Sequence, residues 1–229
     1  MERILKHNQK ANLTFNPGSH DYYVGEKKLQ SVTETISKYF PFDEEKVSQA
    51  VAQKKIASQE EILQRWEQQK QHGNEIHDVA HRYCQGKNLS KKQKKKIQHA
   101  IRFLQTSSYA VKASEIQIFS EEDDVAGTVD LLLYDEENQR YYVADWKTCK
   151  NEIRKDKAYE KAKDPFHYLP NNKFHKYSMQ LSTYQTILEK QYDIQIFDTF
   201  IIHLKRDKTY DVKDTMNLQY ESRMMLDDV

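Results

Sequence analysis

Two cysteines, four prolines and five glycines are all that 229 residues contain of these types. Cys84 and Cys149 are too few to staple a scaffold with disulfides, or to furnish a four-cysteine zinc or iron–sulfur site. So little Pro and Gly argues against long flexible linkers, and no internal repeat is visible. No apolar run approaches the length of a membrane span, and the polar start MERILKHNQK lacks a signal-peptide core. A soluble, intracellular chain in a reducing compartment, with no membrane partner, is the expectation. Excess charge of one sign is missing too: the formal net charge is +1. Any case for a polyanionic partner must therefore rest on local clusters.

What is present is material for a core. Hydrophobic residues make up 38% of the chain, with 15 Tyr and 9 Phe among the aromatics. The length suits one large domain, or one domain with a helical annex. Up to about residue 30, the turn signals NPGS and VGEK around DYYV predict a small hairpin or extended arm. Helices follow. Ser31 and Thr33 can cap VTETISKYF, and DEEKVSQAVAQKKIA has acids in its first turn, where the helix dipole favours them. Ser58 and Glu61 make a capping box for QEEILQRWEQQKQ, which can run on into NEIHDVAHRYCQG. Ser90 opens a last helix, KKQKKKIQHAIRFLQT.

Near residue 109 the pattern changes to YAVKASEIQIF, VAGTVDLLLY and RYYVADWKT, an antiparallel meander of β-branched and aromatic residues. The helix KFHKYSMQLSTYQTILEKQY carries Tyr177, Leu181, Tyr184 and Leu188 at helical spacing. A strand, IQIFDTFIIHL, an edge strand, TYDVKD, and a closing helix, MNLQYESRMMLDDV, complete an α+β arrangement. The predicted division is an N-terminal arm and helical region, 1–108, and a sheet-bearing core, 109–229.

The hairpin GTVDLLLYDEENQRYYVADWKTCK, residues 127 to 150, carries charges that a plain hairpin does not need. Asp145 and Lys147 share one face of their strand, while Trp146 points to the other. With the turn centred on Glu137 and Asn138, Asp130 falls opposite Asp145. Two carboxylates so placed, with Cβ atoms roughly 5 Å apart, repel. A divalent cation with a taste for oxygen ligands removes the difficulty, and Lys147 beside it would serve a water or a phosphate. An exposed face on which Lys147 simply pairs with an aspartate is the competing reading.

Gly127-x-x-Asp130 followed by Asp145-x-Lys147 resembles the core of the PD-(D/E)XK nuclease superfamily, with Val129 in place of the proline. Gln180-x-x-x-Tyr184 resembles the Gln/Tyr motif of its RecB-type branch. Gly73 and His77, in HGNEIHDVAH, resemble that branch's Gly-x-x-x-His helix. Glu115, opening the strand that leads to Gly127, falls where relatives often carry an acid. SVTETISKYF and the Lys173–Tyr192 helix further resemble a viral and phage-like set related to the mitochondrial genome maintenance exonuclease. The resemblance implies metal-dependent hydrolysis of DNA, most of all exonucleolytic cleavage of single strands or ends. It implies Mg²⁺ or Mn²⁺ held by His77, Asp130, Asp145 and the Trp146 backbone carbonyl. Lys147 would orient or help deprotonate the water, and Gln180 and Tyr184 would position Lys147 or a phosphate. It brings no iron–sulfur cluster, because the cysteines are missing.

Other readings stand beside this one. An endonuclease on the same core, or a nucleic-acid-binding subunit with a vestigial site, would share the motifs. His77 and His81 also mimic a zinc-protease pair, although Asp78 is too short for the usual general base. Lys91, Lys92, Lys94 and Lys95 set cations in the first turns of a helix, where a phosphate backbone would relieve them. Lys150 and Arg154 open a charged stretch, KNEIRKDKAYEKAKD, that suggests a mobile loop able to close over DNA. Tyr22, Tyr23 and Phe40 are candidates for base stacking; Trp66 reads as core.

Overall fold

The computed structural model describes residues 1–158 and 160–228. Tyr159, in the charged stretch, and Val229, at the end of the expected closing helix, lie outside the described residues. The chain opens with a helix, α1 (Glu2–Lys10), and three short strands, β1 (Leu13–Asn16), β2 (Asp21–Val24) and β3 (Lys27–Ser31). Then come α2 (Val32–Tyr39), α3 (Glu44–Lys55) and the 26-residue α4 (Gln59–Cys84). α5 (Lys91–Lys96) and α6 (Gln98–Thr106) precede the long strands β4 (Tyr109–Ser120), β5 (Val125–Asp135) and β6 (Arg140–Lys147). α7 (Lys173–Tyr192), β7 (Ile196–Leu204), β8 (Tyr210–Asp214) and α8 (Gln219–Leu226) close the chain.

Local chemistry accounts for most of these boundaries. Reciprocal capping boxes start α2 (Ser31 with Glu34), α4 (Ser58 with Glu61) and α5 (Ser90 with Gln93). Ser31, not Thr33, is the cap of α2. Two expectations need correction. The start of the chain is a helix followed by a three-stranded meander, because α1 gains its stability from a tertiary contact: its one buried side chain, Ile4, enters the main core. The helix expected over 90–106 breaks at Ile97, whose φ of −105° and ψ of 22° end α5 and begin α6.

One mixed, eight-stranded sheet runs in the order β1-β2-β3-β5-β6-β7-β8, with β4 on the other side of β5. β4–β5–β6 is the expected antiparallel meander, and β7 joins β6 in parallel. β5 has two partners along its remaining edge. β3 pairs in parallel with Val125 and Ala126, and β6 pairs antiparallel with Leu131 to Asp135. The sheet therefore forks around residues 127–130.

Buried side chains form two clusters. One, with α1, α2, α7 and α8, includes Val129, Leu132, Val143, Leu181 and Tyr184. The other, with α4 and α6, includes Ile76, Phe103, Leu131, Leu133 and Trp146. Alternation along β4 and β5 slips by one residue at the fork. Ala113 and Leu132 face the α7 side before the slip, and Ile116, Ile118 and Val129 face it after. Glu115, with φ of +48°, is the hinge of the slip in β4. Both strands slip together, so pairing survives on either side as Ser114↔Leu131 and Ile116↔Val129.

His99 gives the α6 side a pH dependence. It is buried, its Nδ1 accepts the Ala100 amide at 3.1 Å, and burial followed by the Lys208 charge lowers its pKa from 6.5 to about 4. A folded-state pKa below the unfolded one makes the unfolded chain bind the extra proton. Stability is thus complete above the unfolded value of 6.5 and falls as pH drops towards 4, by about 2–3 kcal/mol. Urea unfolding at pH 7.5 and 5 should show this loss in the parent and a smaller one in His99→Gln.

Candidate metal centre and active site

The fork brings chemistry-bearing side chains together from five elements, α4, β4, β5, β6 and α7. Extending the β5–β6 register by one residue beyond Leu131↔Ala144 sets Asp130 opposite Asp145, as the turn at Glu137 and Asn138 predicts. Asp130 is 7% exposed and Asp145 1%. Asp130 Oδ2 accepts the Trp146 amide at 2.9 Å, which locks the carboxylate across the mouth of the hairpin. From α4, His77 Nδ1 lies 3.3 Å from Asp130 Oδ2 and 3.4 Å from Glu115 Oε1. Glu115 does not open a strand. It sits in the middle of β4, and its left-handed backbone, costing about 1–3 kcal/mol for a non-glycine residue, accompanies the turn of its carboxylate towards His77.

Lys147 occupies the other half of the site. Its Nζ is 2.5 Å from Asp145 Oδ2, 3.5 Å from Gln180 Oε1 and 4.4 Å from the centre of the Tyr177 ring. Gln180 in turn donates through Nε2 to the Tyr184 hydroxyl at 2.9 Å. Tyr184 packs directly against Gly127, where a Cβ would come within 2.5 Å of its Cε1. On α4, Gly73 is the close-approach position, because a Cβ there would meet Thr148 Oγ1 at 3.0 Å. The two glycines of the motifs thus let α7 and α4 approach the sheet at the site.

The electrostatics are those of an anion-rich pocket. Burial, then the charge of Asp130, pushes Asp145 up to about 7 against the pull of Lys147. Burial also raises Glu115. Burial by itself would lower His77, but Asp130 and Glu115 overcome it and hold the imidazole well above its ordinary value. Lys147 is raised likewise: burial opposes its charge and Asp145 restores it. Asp130 is lowered, burial being outweighed by His77, Lys147 and the Trp146 amide.

The donor set fits a hard divalent cation. One ligand atom each from His77, Glu115 and Asp130 lies within 4.8 Å of the others. Glu115 Oε1 and Asp145 Oδ2 are buried, and the groups set against them are the cationic side chains His77 and Lys147 rather than backbone amides. Carboxylate oxygens with one imidazole suit Mg²⁺ or Mn²⁺ better than a thiophilic ion.

Other expected residues lie elsewhere. His81 is engaged by Ser114 Oγ and Gln85 Nε2, both at 2.7 Å, and does not join His77 in a ligand pair. Lys91, Lys92, Lys94 and Lys95 are exposed on α5; Lys96 reaches back to Glu75 on α4. Arg154 pairs with Asp156 beside it, and Lys150 is exposed. The stretch that holds these last two is anchored at Ile153 and Ala162, which are buried, while its other described residues are exposed. Phe40 is buried, and Tyr22 is buried with its hydroxyl on Thr128 at 2.9 Å, so neither presents a ring to bases. Tyr177, under Lys147, is the participant that the sequence reading did not assign. It shares the helical stripe of Tyr184, and only the fold shows that the upper end of that stripe meets a cation.

Carboxylates, an imidazole and a charged amine at the fork of a mixed sheet define a site of the metal-dependent nuclease type. The chain belongs to the PD-(D/E)XK nuclease superfamily, whose family model matches residues 30–222. No individual curated protein matches it.

Proposed function

We propose that the protein is a metal-dependent deoxyribonuclease of the RecB-type exonuclease branch, hydrolysing phosphodiester bonds in single-stranded DNA or at DNA ends. The observation that carries this reading is the convergence of Asp130, Asp145 and Lys147 with His77 and Glu115 at one fork. In this reading residues 1–108 and 109–229 work as one unit, the first half supplying His77 and the second the sheet.

His77, Glu115, Asp130 and Asp145, with the Trp146 carbonyl, would hold one or two Mg²⁺ or Mn²⁺ ions. When bound, such an ion acidifies a water and offsets the charge of an in-line phosphoryl transition state. His77 gives up its proton in order to ligate. Lys147 stays charged beside Asp145 and serves as a donor to the water or to a phosphate oxygen, not as the base. Gln180, fixed by Tyr184, limits where that amine can point.

The test uses end-labelled linear and circular single-stranded DNA with Mg²⁺ or EDTA. Loss of label from linear DNA alone, abolished by EDTA, is the expected result. Cutting of circles would make the protein an endonuclease, and retarded migration without cleavage would leave a binding module. Metal should also be visible without DNA: saturating Mn²⁺ is expected to raise Tm by several degrees, a response that Asp130→Asn removes.

A further inference from the structure

Two of the large aromatic side chains that lie outside both cores stand against each other. Phe42, in the loop between α2 and α3, is 59% exposed. Trp66, on α4, is half-buried and belongs to neither buried cluster, contrary to the expectation that it is core. Their ring centres are 5.8 Å apart at an interplanar angle of 52°. The pair is held, not loose: Asn171 Nδ2 donates to the Pro41 carbonyl at 2.9 Å, tying the Phe42 loop to the start of α7. Lys176 Nζ lies over the Phe42 ring at 5.9 Å. Burial and the neighbouring Lys173 charge lower the Lys176 pKa, so an anion there would be welcome.

Position relative to the site gives the pair its meaning. On α4, residues seven and eleven apart return to nearly the same face, so Trp66, Gly73 and His77 form one stripe. Gly73 faces Thr148 and His77 faces the carboxylates. On α7, Lys176 touches Phe42 while the next residue, Tyr177, lies against Lys147. α4 therefore runs from the aromatic pair to the candidate metal centre, and the start of α7 meets both. Eleven residues of helix at a rise of 1.5 Å span about 16 Å, some five nucleotides at the stacked spacing of about 3.4 Å.

We propose that Phe42 and Trp66, flanked by Lys176, form a stacking platform for the bases of single-stranded DNA, about five nucleotides from the scissile phosphate. The occupant is single-stranded because only unpaired bases offer their faces to side chains, and the adjacent cation suits the backbone between them. The proposal rests on the nuclease reading for its direction, but its test does not.

In EDTA, so that nothing is cut, an oligothymidylate of twenty residues is added to the full chain and tryptophan emission is followed. Trp146 is 1% exposed, so Trp66 is the accessible reporter. Quenching is expected in the parent and should be lost in Trp66→Phe. Phe42→Ala should bind about ten-fold more weakly, by competition or anisotropy, with its thermal unfolding unchanged. Tyr220→Ala, which removes a ring that is 70% exposed on α8, should bind as the parent does. A trinucleotide, too short to reach the pair from the site, should show little difference between parent and Phe42→Ala. Parent-like affinity of Phe42→Ala for the long strand, or equal quenching by duplex DNA, overturns the platform even if the enzyme cleaves. Conversely, full quenching by a protein that cleaves nothing upholds the platform and sinks the nuclease reading.

Discussion

Lys147→Ala should lose cleavage by at least 10²–10³-fold while still binding divalent metal and DNA. That is the range seen when one preorganised donor to a developing negative charge is removed. The side chain has no other work: its Nζ sits between Asp145, Gln180 and the Tyr177 ring. Its removal strands Asp145, a buried carboxylate that would be costly if it stayed charged. Asp145 already titrates near 7, so at neutral pH it can take up a proton instead, and the variant should fold. Lys147→Arg should not restore activity, since a planar guanidinium cannot replace a compact ammonium in that enclosure. Single-turnover rates with saturating DNA and Mn²⁺, beside metal-dependent Tm shifts, decide the matter. If the variant retains near-parental rates, Lys147 is only a counter-ion for Asp145.

Gly127→Ala carries the second large effect, and it reaches both stability and activity. The new methyl would lie 2.5 Å from Tyr184 Cε1, well inside non-bonded carbon contact, and Tyr184 is only 3% exposed. Either α7 lifts from the sheet or the ring turns. Overpacking of this kind costs about 1–3 kcal/mol, or a fall in Tm of about 3–10 °C for a chain of this size. A turned ring also withdraws the hydroxyl that receives Gln180, and with it the side chain that faces Lys147. A drop in rate of about ten-fold should therefore accompany the loss of stability. Trimming the neighbour separates the two: Gly127→Ala with Tyr184→Leu should regain much of the Tm and none of the rate. Such non-additivity is the signature of direct contact.

Local signals made part of this architecture legible in the sequence. The Asp130–Asp145 juxtaposition follows from the position of one turn, and register in a tight hairpin is fixed by that turn. The capping box of α4 is written in Ser58 and Glu61, a pair that satisfies itself within one helical turn, and Ser31 was one of two legible caps for α2. Features made by distant segments were not legible. The parallel pairing of Gln30 and Ser31 with Val125 and Ala126 joins segments nearly a hundred residues apart, and nothing in either announces the other. α1 is polar apart from Ile4 and Leu5, so its helicity depends on the surface that receives it. Trp66 looked like core because most tryptophans are, and only the placement of Phe42 shows otherwise. Glu115 could be singled out only through the family resemblance, as an acid where relatives often carry one. Its left-handed backbone could not, since glutamate has no preference for that region.

The joint slip of β4 and β5 sets a rule for how this sheet can vary in length. Dropping one residue from β4 alone would turn Ile116 and Ile118 to the α4 side and put their polar neighbours Glu115 and Gln117 into the oily layer beneath α7. Dropping one from each strand would remove the irregularity at the fork and keep the oily layer intact, yet Glu115 and Asp130 would no longer converge on the histidine. The molecule can therefore be made more orderly only by being disarmed.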